Sequence, residues 1–409
     1  MNITPINARM ASILLVFGIF FAISCASSSS SVEQNSSELS NTETYERDLS
    51  RINEALNKSP ENEELILDKA KTLENLAQSY PYPQPRLTVY QNLRELADEP
   101  TNQNSSIEDN LNEILVRSWN REQSSGVKLL QDTETILPQS QFETVVNHFE
   151  NATAIMPDST VTYTLLATTY YRNGHLNDAI GTLKEADSNS DSDKPSIKEK
   201  LAYLYLESGD IEQSIDLYRN LTDNNPDDPH IKHGLANAYM LNKQHREAVN
   251  LLRELTEEYP TRYSYFESLA AELFFIFSDE IQSQINNPSV DSVTEDELIS
   301  IIDYMKEIDS IFTTLTERLP QSEEIAFRMA STYKNASVLL SDLIPLIDEE
   351  LQENFSQLPD IYLEQSLSYW ERLLEINPDN SDYFDNLYQV YVRLNMEEQA
   401  ESIERTFNY

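Results

Sequence analysis

Cysteines, histidines and clustered carboxylates are where nucleophiles, bases and metal ligands come from, so they bound the chemistry open to a chain. This one has a single cysteine, Cys25, and five histidines. A lone thiol excludes an internal disulfide and a multi-cysteine metal site. His230 and His233 stand one helical turn apart beside Asp227 and Asp228, the spacing of a helical metal pair. No third ligand is close in sequence, and acidic residues just before a helix ordinarily cap it. Asp187, Asn189, Asp191 and Asp193 alternate like the start of a calcium loop, but Ser192 stands where the loop glycine belongs and Lys198 where the bidentate glutamate belongs. A solvated loop between helices is expected there. No nucleophile sits beside a base, and no glycine-rich phosphate loop is present. The expectation is a chain with no catalytic residue, no metal and no cofactor.

The elements that would position any such residue follow from composition. Six glycines in 409 residues are too few for a turn-dense β fold, and 39% apolar residues suffice to bury helix faces, so an all-α protein is expected. The 29 basic against 70 acidic residues give a net charge of −41, which repels phosphate backbones and excludes nucleic acid as a partner class. The acidity reads as a solvated coat or as an acidic groove for a basic partner.

Residues 11–23, ASILLVFGIFFAI, form a 13-residue apolar run preceded by Arg9, too short for a confident membrane span and of the length of a signal-peptide core. It leads into Phe21-Ala22-Ile23-Ser24-Cys25, which resembles the lipobox of bacterial lipoproteins, with Ala22 where leucine is more usual. The resemblance implies cleavage before Cys25 and lipidation of its thiol and new amino group. Two or more acyl chains give stable anchoring to a membrane without crossing it. Ala26 and Ser27 lack the aspartate that resembles an inner-membrane retention signal, so the expected location is the cell envelope, at the outer membrane, facing the periplasm or the cell surface. The segmentation expected is a signal peptide over 1–24, a lipidated cysteine and flexible Ser/Asn/Glu-rich tether over 25–43, irregular helical hairpins over 44–138, and a repeat array over 139–409.

The repeat is clearest over 160–260. Tyr163, Leu166, Ala167 and Tyr170 share one helix face, Gly174 marks a turn, and Ala179, Leu183 and Ala186 share the face of a second helix. The series returns 35 residues later as Leu201, Ala202, Tyr205, Gly209, Ser214, Tyr218 and Leu221, closing at Pro226. It returns again after 34 as Leu235, Ala236, Tyr239, Ala248, Leu252 and Leu255, closing at Pro260. These units, over 160–194, 195–228 and 229–262, resemble the tetratricopeptide repeat (TPR), a helix-turn-helix unit of about 34 residues. The resemblance implies a TPR-like α-α superhelix, a solenoid of antiparallel helix hairpins. Flanking units are less regular. Phe149, Ala152 and Pro157 suggest a second helix whose first lies near 124–136. Phe266 to Pro320 and Met329 to Pro378 suggest two stretched units, and Phe384 to Phe407 a last one. Residues 44–58 and 63–77 have helical spacing around Pro60.

In a stacked array the inner wall of first helices is the usual binding surface. The register places Thr164, Thr168, Tyr171, Glu199, Tyr203, His233, Asn237, Glu267, Phe274 and Phe275 on that wall. Some TPR modules clamp a partner's terminal carboxylate there. His233 and Asn237 occupy two such places, but Ser268 stands where a cation is required, which disfavours a clamp. The run Leu273-Phe274-Phe275-Ile276-Phe277, Trp119 and Trp370 read as core. The expected function is that of a non-enzymatic, membrane-anchored scaffold binding a protein partner through the concave face. The alternative is a glycan- or solute-binding outer-membrane lipoprotein, with Tyr171, Tyr203, Phe274 and Phe275 stacking on sugar rings.

Overall fold

Small side chains at one point of a helix, and a tyrosine one turn later, decide how each helix pair closes in the computed structural model. It describes residues 35–407 apart from 104–105, 132–135, 190–193 and 287–292. Residues 1–34, with the expected signal peptide, Cys25 and the start of the tether, lie outside the described residues. The chain divides into two compact units, Met1–Pro226 and Asp227–Tyr409. No strand occurs among the described residues.

The first unit contains α1 (Asn35–Leu56), α2 (Glu63–Ser79), α3 (Arg86–Asp98), α4 (Glu108–Gln131), α5 (Gln139–Ile155), α6 (Thr160–Arg172), α7 (Leu176–Ser188), α8 (Pro195–Ser208) and α9 (Ile211–Asn224). Neighbours pack as α1 on α2, α4 on α5, α6 on α7 and α8 on α9, while α3 lies against both α2 and α5. Helix α1 begins at Asn35, inside the segment expected as tether. Thr42 Oγ1 meets Ser79 Oγ of α2 at 2.8 Å, so the extension has a partner helix to lie on. Helix α4 starts well before the expected 124–136, because Leu111, Ile114, Leu115, Ser118, Glu122 and Gly126 make one continuous buried face. At Gly126 a Cβ would come within 2.8 Å of the Phe149 ring, and the bare backbone is what lets α4 and α5 approach.

The second unit contains α10 (Pro229–Leu241), α11 (His245–Glu258), α12 (Tyr263–Asn286), α13 (Glu295–Arg318) and α14 (Glu323–Leu343). A 3₁₀ turn (Ile344–Leu346), α15 (Glu349–Phe355), α16 (Leu358–Ile376), α17 (Ser381–Arg393) and α18 (Glu397–Phe407) follow. Helices α12 and α13, 24 residues each, stay together along their extra length by burying Ile276, Phe277 and Ile281 with Leu298, Ile301 and Ile302. Helix α14 pairs with α16, and the short α15 is inserted between them. Trp370 is 1% exposed and Phe277 0%, both in the core as expected.

One turn geometry recurs across both units. The carbonyl of Tyr170 accepts from His175 N, Tyr205 from Asp210 N, Tyr239 from Gln244 N and Tyr391 from Met396 N, at 2.8–2.9 Å. Each turn places a residue in the left-handed region: Gly174 (φ 82), Gly209 (φ 85), Lys243 (φ 59) and Asn395 (φ 58). These bonds satisfy carbonyls at the end of the first helix and aim the second back along it. The prolines and caps fix the starts: Pro195 opens α8, and Asp228, followed by Pro229, accepts from the His230 and Ile231 amides. Inside the pairs Ala202 and Ala236 are fully buried. Ser214, where alanine is usual, donates to the Ala202 carbonyl at 2.7 Å, and Ser366 does the same to Ala330 in the stretched α14–α16 pair.

Candidate binding faces on the first helices

In the first unit, α6 and α8 carry Thr164, Thr168, Tyr171, Glu199 and Tyr203, all half-buried. The Thr168 hydroxyl is spent on its own helix, donating to the Thr164 carbonyl at 2.6 Å. Tyr171 and Tyr203 meet edge to face, with ring centres 6.0 Å apart and hydroxyls 3.1 Å apart. Tyr171 donates to Glu207 Oε2 at 3.2 Å, which leaves Tyr203 to donate to Tyr171. Burial first, then the phenol neighbour and the Glu207 charge, push the Tyr203 phenol far up, and burial raises Tyr171 as well. Both therefore stay neutral donors. Sequence reasoning missed Glu207, although it stands one helical turn beyond Tyr203 on the same face. Burial pulls the Lys200 amine down against the opposing charge of Glu199.

In the second unit, His233 and Asn237 on α10 and Glu267 on α12 are half-buried. The His233 ring lies 5.0 Å from that of Tyr265, its Nε2 is buried without a hydrogen-bond partner, and burial pushes its pKa down to about 4. His233 is thus neutral at physiological pH and supplies no cation to a carboxylate clamp. Beside it Asp228 caps α10 through Oδ1, accepting from the His230 and Ile231 amides. Among the described residues no three His, Cys, Asp or Glu side chains group as metal ligands. Burial raises the Glu267 carboxyl, with Arg328 opposing. Phe274 packs on the core, 5.7 Å from Phe277. Phe275 is 47% exposed and lies 4.1 Å from the His245 ring at the start of α11, a second helix, so its contact is with the turn edge of the preceding pair. The pattern of threes and fours placed Phe275 one residue past Phe274 without this distinction.

Of the calcium-like series, Asp191 and Asp193 lie outside the described residues, and Asn189 is engaged in donating to the Tyr163 hydroxyl at 2.8 Å. Trp119, read as packing, also donates from Nε1 to Thr162 Oγ1 at 2.9 Å. A buried polar cluster had no signal in the spacing. Glu122 on α4 accepts from Arg86 Nη1 at 3.0 Å, from the Tyr90 hydroxyl at 3.0 Å, and from Asn151 Nδ2 at 3.3 Å. His148 Nδ1 lies 2.6 Å from its second oxygen and must donate, because a carboxylate only accepts. Its members come from α3, α4 and α5, far apart in sequence, and all are at least nearly buried.

The sequence profile described as tetratricopeptide repeat matches residues 205–273. No curated protein matches the chain. Three solved structures are similar. A tetratricopeptide repeat protein from Parabacteroides merdae is 14% identical, over 67% of this chain and 99% of that one, with a TM-score of 0.40. Pseudomonas aeruginosa pilF is 13% identical, over 66% and 97%, with a TM-score of 0.39. MamA is 14% identical, over 50% and 93%, with a TM-score of 0.37. The matched profile marks a tetratricopeptide repeat over residues 205–273, the stretch that holds the tyrosine-closed turns at Tyr205 and Tyr239 and the buried Ala236.

Proposed function

We propose that this protein is a non-enzymatic scaffold that holds a protein partner against its first helices, tethered to a membrane of the cell envelope through a lipid on Cys25. The observation that carries the binding reading is the Tyr171–Tyr203–Glu207 constellation: half-exposed aromatic rings with neutral hydroxyl donors and a carboxylate, mounted on two helices fixed by packing. Rigid amphipathic rings of this kind supply contact area at low entropic cost. The anchor reading rests on the lipobox-like residues 21–25 alone. Outer-membrane placement rests on the absence of an aspartate after Cys25. Tethering would confine the search for a partner to the membrane plane and raise its effective concentration.

A photo-crosslinking residue at position 203, compared with one at exposed Glu212 on α9, tests the face in cells. A protein adduct specific to position 203 supports the proposal; equal labelling at both positions, or labelling at neither, refutes it. A sugar-dependent rise in melting temperature that Tyr203→Ala removes would instead favour a glycan ligand. For the anchor, Cys25→Ser should move the protein from the membrane to the soluble or precursor fraction, and unchanged fractionation counts against lipidation.

A further inference from the structure

With 70 acidic and 29 basic residues, a buried or half-buried lysine in this chain is expected to meet a carboxylate. Lys232 on α10 does: its Nζ lies 3.2 Å from Glu258 and 3.6 Å from Glu254, and although burial opposes them, these partners hold its amine above the usual range. Lys334 on α14 does not. Its Nζ lies 2.7 Å from Asn386 Oδ1 and 2.7 Å from Gln389 Oε1 on α17, both neutral amide oxygens. The charge acting on it is a like one, Arg393, one helical turn beyond Gln389. Burial first, and that guanidinium second, push the Lys334 amine down to about 8.

The acceptor count agrees with that shift. An ammonium has three N–H donors, whereas a neutral amine has two and a lone pair. Two amide oxygens match the neutral form and leave the lone pair for an electrophile. Lys334 and Asn386 are half-buried while Gln389 and Arg393 are exposed, so a small molecule can reach the nitrogen from solvent.

We propose that Lys334 is a carbon dioxide site, at which the amine is reversibly converted to a carbamate held by Arg393 and by the Asn386 and Gln389 amides. The nitrogen lone pair attacks the carbon of CO2, a C–N bond forms, and one C=O pair moves onto oxygen. The nitrogen releases a proton to water, so that R–NH2 and CO2 become R–NH–COO⁻ and H⁺. Nothing is oxidised or reduced. The product inverts the charge beside Arg393, turning a repulsion into a charge-assisted hydrogen bond. The two amides serve both states: exposed Gln389, turned about its terminal torsion, presents an NH2 group in place of its oxygen, while Asn386, whose NH2 donates to the Asp382 carbonyl at 2.7 Å, keeps its oxygen as acceptor for the carbamate N–H. At pH ~7.5 to 8 this lysine carries on the order of a hundredfold more neutral amine than an ordinary one. The site does not depend on what the first-helix face of the other unit binds.

The test uses the full chain in ¹³C-bicarbonate at pH ~8, where ordinary lysines stay almost fully protonated. Carbamates are trapped by a trialkyloxonium salt and located by peptide mass spectrometry. Lys334 should carry the label at least about tenfold above the other lysines, lose it on degassing before trapping, and lose the preference in urea. Lys334→Arg should abolish the label there. Arg393→Gln, at an exposed position, should keep the melting temperature and cut the label severalfold. Uniform labelling across lysines, a preference that survives urea, full labelling in Arg393→Gln, or a Lys334 amine that titrates with the surface lysines would each overturn the proposal.

Discussion

Replacing Glu122 with glutamine keeps the volume of the buried cluster between α3, α4 and α5 but removes its negative charge. In the wild type, burial alone would raise this carboxyl; the hydrogen bond from His148 and the charge of Arg86 outweigh it and hold Glu122 below the usual carboxylate range. The Glu122 side chain is 0% exposed and that of Arg86 14%, so the guanidinium left behind has little access to water. Arg86 Nε already has no partner, and one Arg86 amino group is committed to the Tyr80 carbonyl at 2.7 Å. Removing one member of a buried pair costs about 3–5 kcal/mol, and glutamine keeps an acceptor for Tyr90 or His148, so about 2–4 kcal/mol is expected. A helical array does not unfold as one unit, which makes hydrogen exchange the appropriate assay. Amides of α3, α4 and α5 should exchange roughly 30- to 1000-fold faster, while those of α8 and α9 change little. The pH sign follows from the lowered carboxyl. The stabilisation is present above the unfolded carboxyl's pKa of about 4.3 and is lost as pH falls through the lower folded value, so Glu122→Gln should flatten that part of the acid limb. Exchange in α3–α5 within about twofold of wild type would show that the cluster contributes nothing by its charge.

Lys243 adopts φ 59 where the equivalent turns use Gly174 and Gly209, so Lys243→Gly should stabilise the α10–α11 pair by up to about 1 kcal/mol, read as a rise in its denaturation midpoint. Ala202→Trp should overpack the fully buried contact beside Ser214, costing at least about 1–3 kcal/mol and lowering both helicity and melting temperature; no loss would mean that the α8–α9 register is wrong. His233, held down to about 4, should show an imidazole resonance that does not titrate at pH ~6.5. Its folded pKa lies below the unfolded value, so stability on the order of 2–3 kcal/mol should fall away between pH ~6.5 and ~4, and His233→Gln should remove that dependence.

Periodicity made the pairs legible because each pair is local: Ala202 meets Ser214 twelve residues on, and the Tyr205 turn closes within five. The same logic found the stretched α12–α13 and α14–α16 pairs, whose extra turns still bury residues at threes and fours. It could not distinguish left-handed turns lacking glycine, since Lys243 and Asn395 carry no compositional mark. Nor could it see interactions made by residues of unremarkable type from distant helices. Glu122 gathers Arg86 and His148 from 36 and 26 residues away, and Lys334 reaches Asn386 and Gln389 at separations of 52 and 55. In a sequence with 70 acidic residues, no single glutamate draws notice, and the informative lysine is one that finds no acid. The two burials have opposite electrostatic outcomes for one reason. Glu122 is buried with opposite charge and strong donors, so its ionised form is retained; Lys334 is buried with neutral amides and a like charge, so its ionised form is weakened. Repeat spacing fixes where a side chain stands, whereas its protonation state depends on which other helices the stack brings against it.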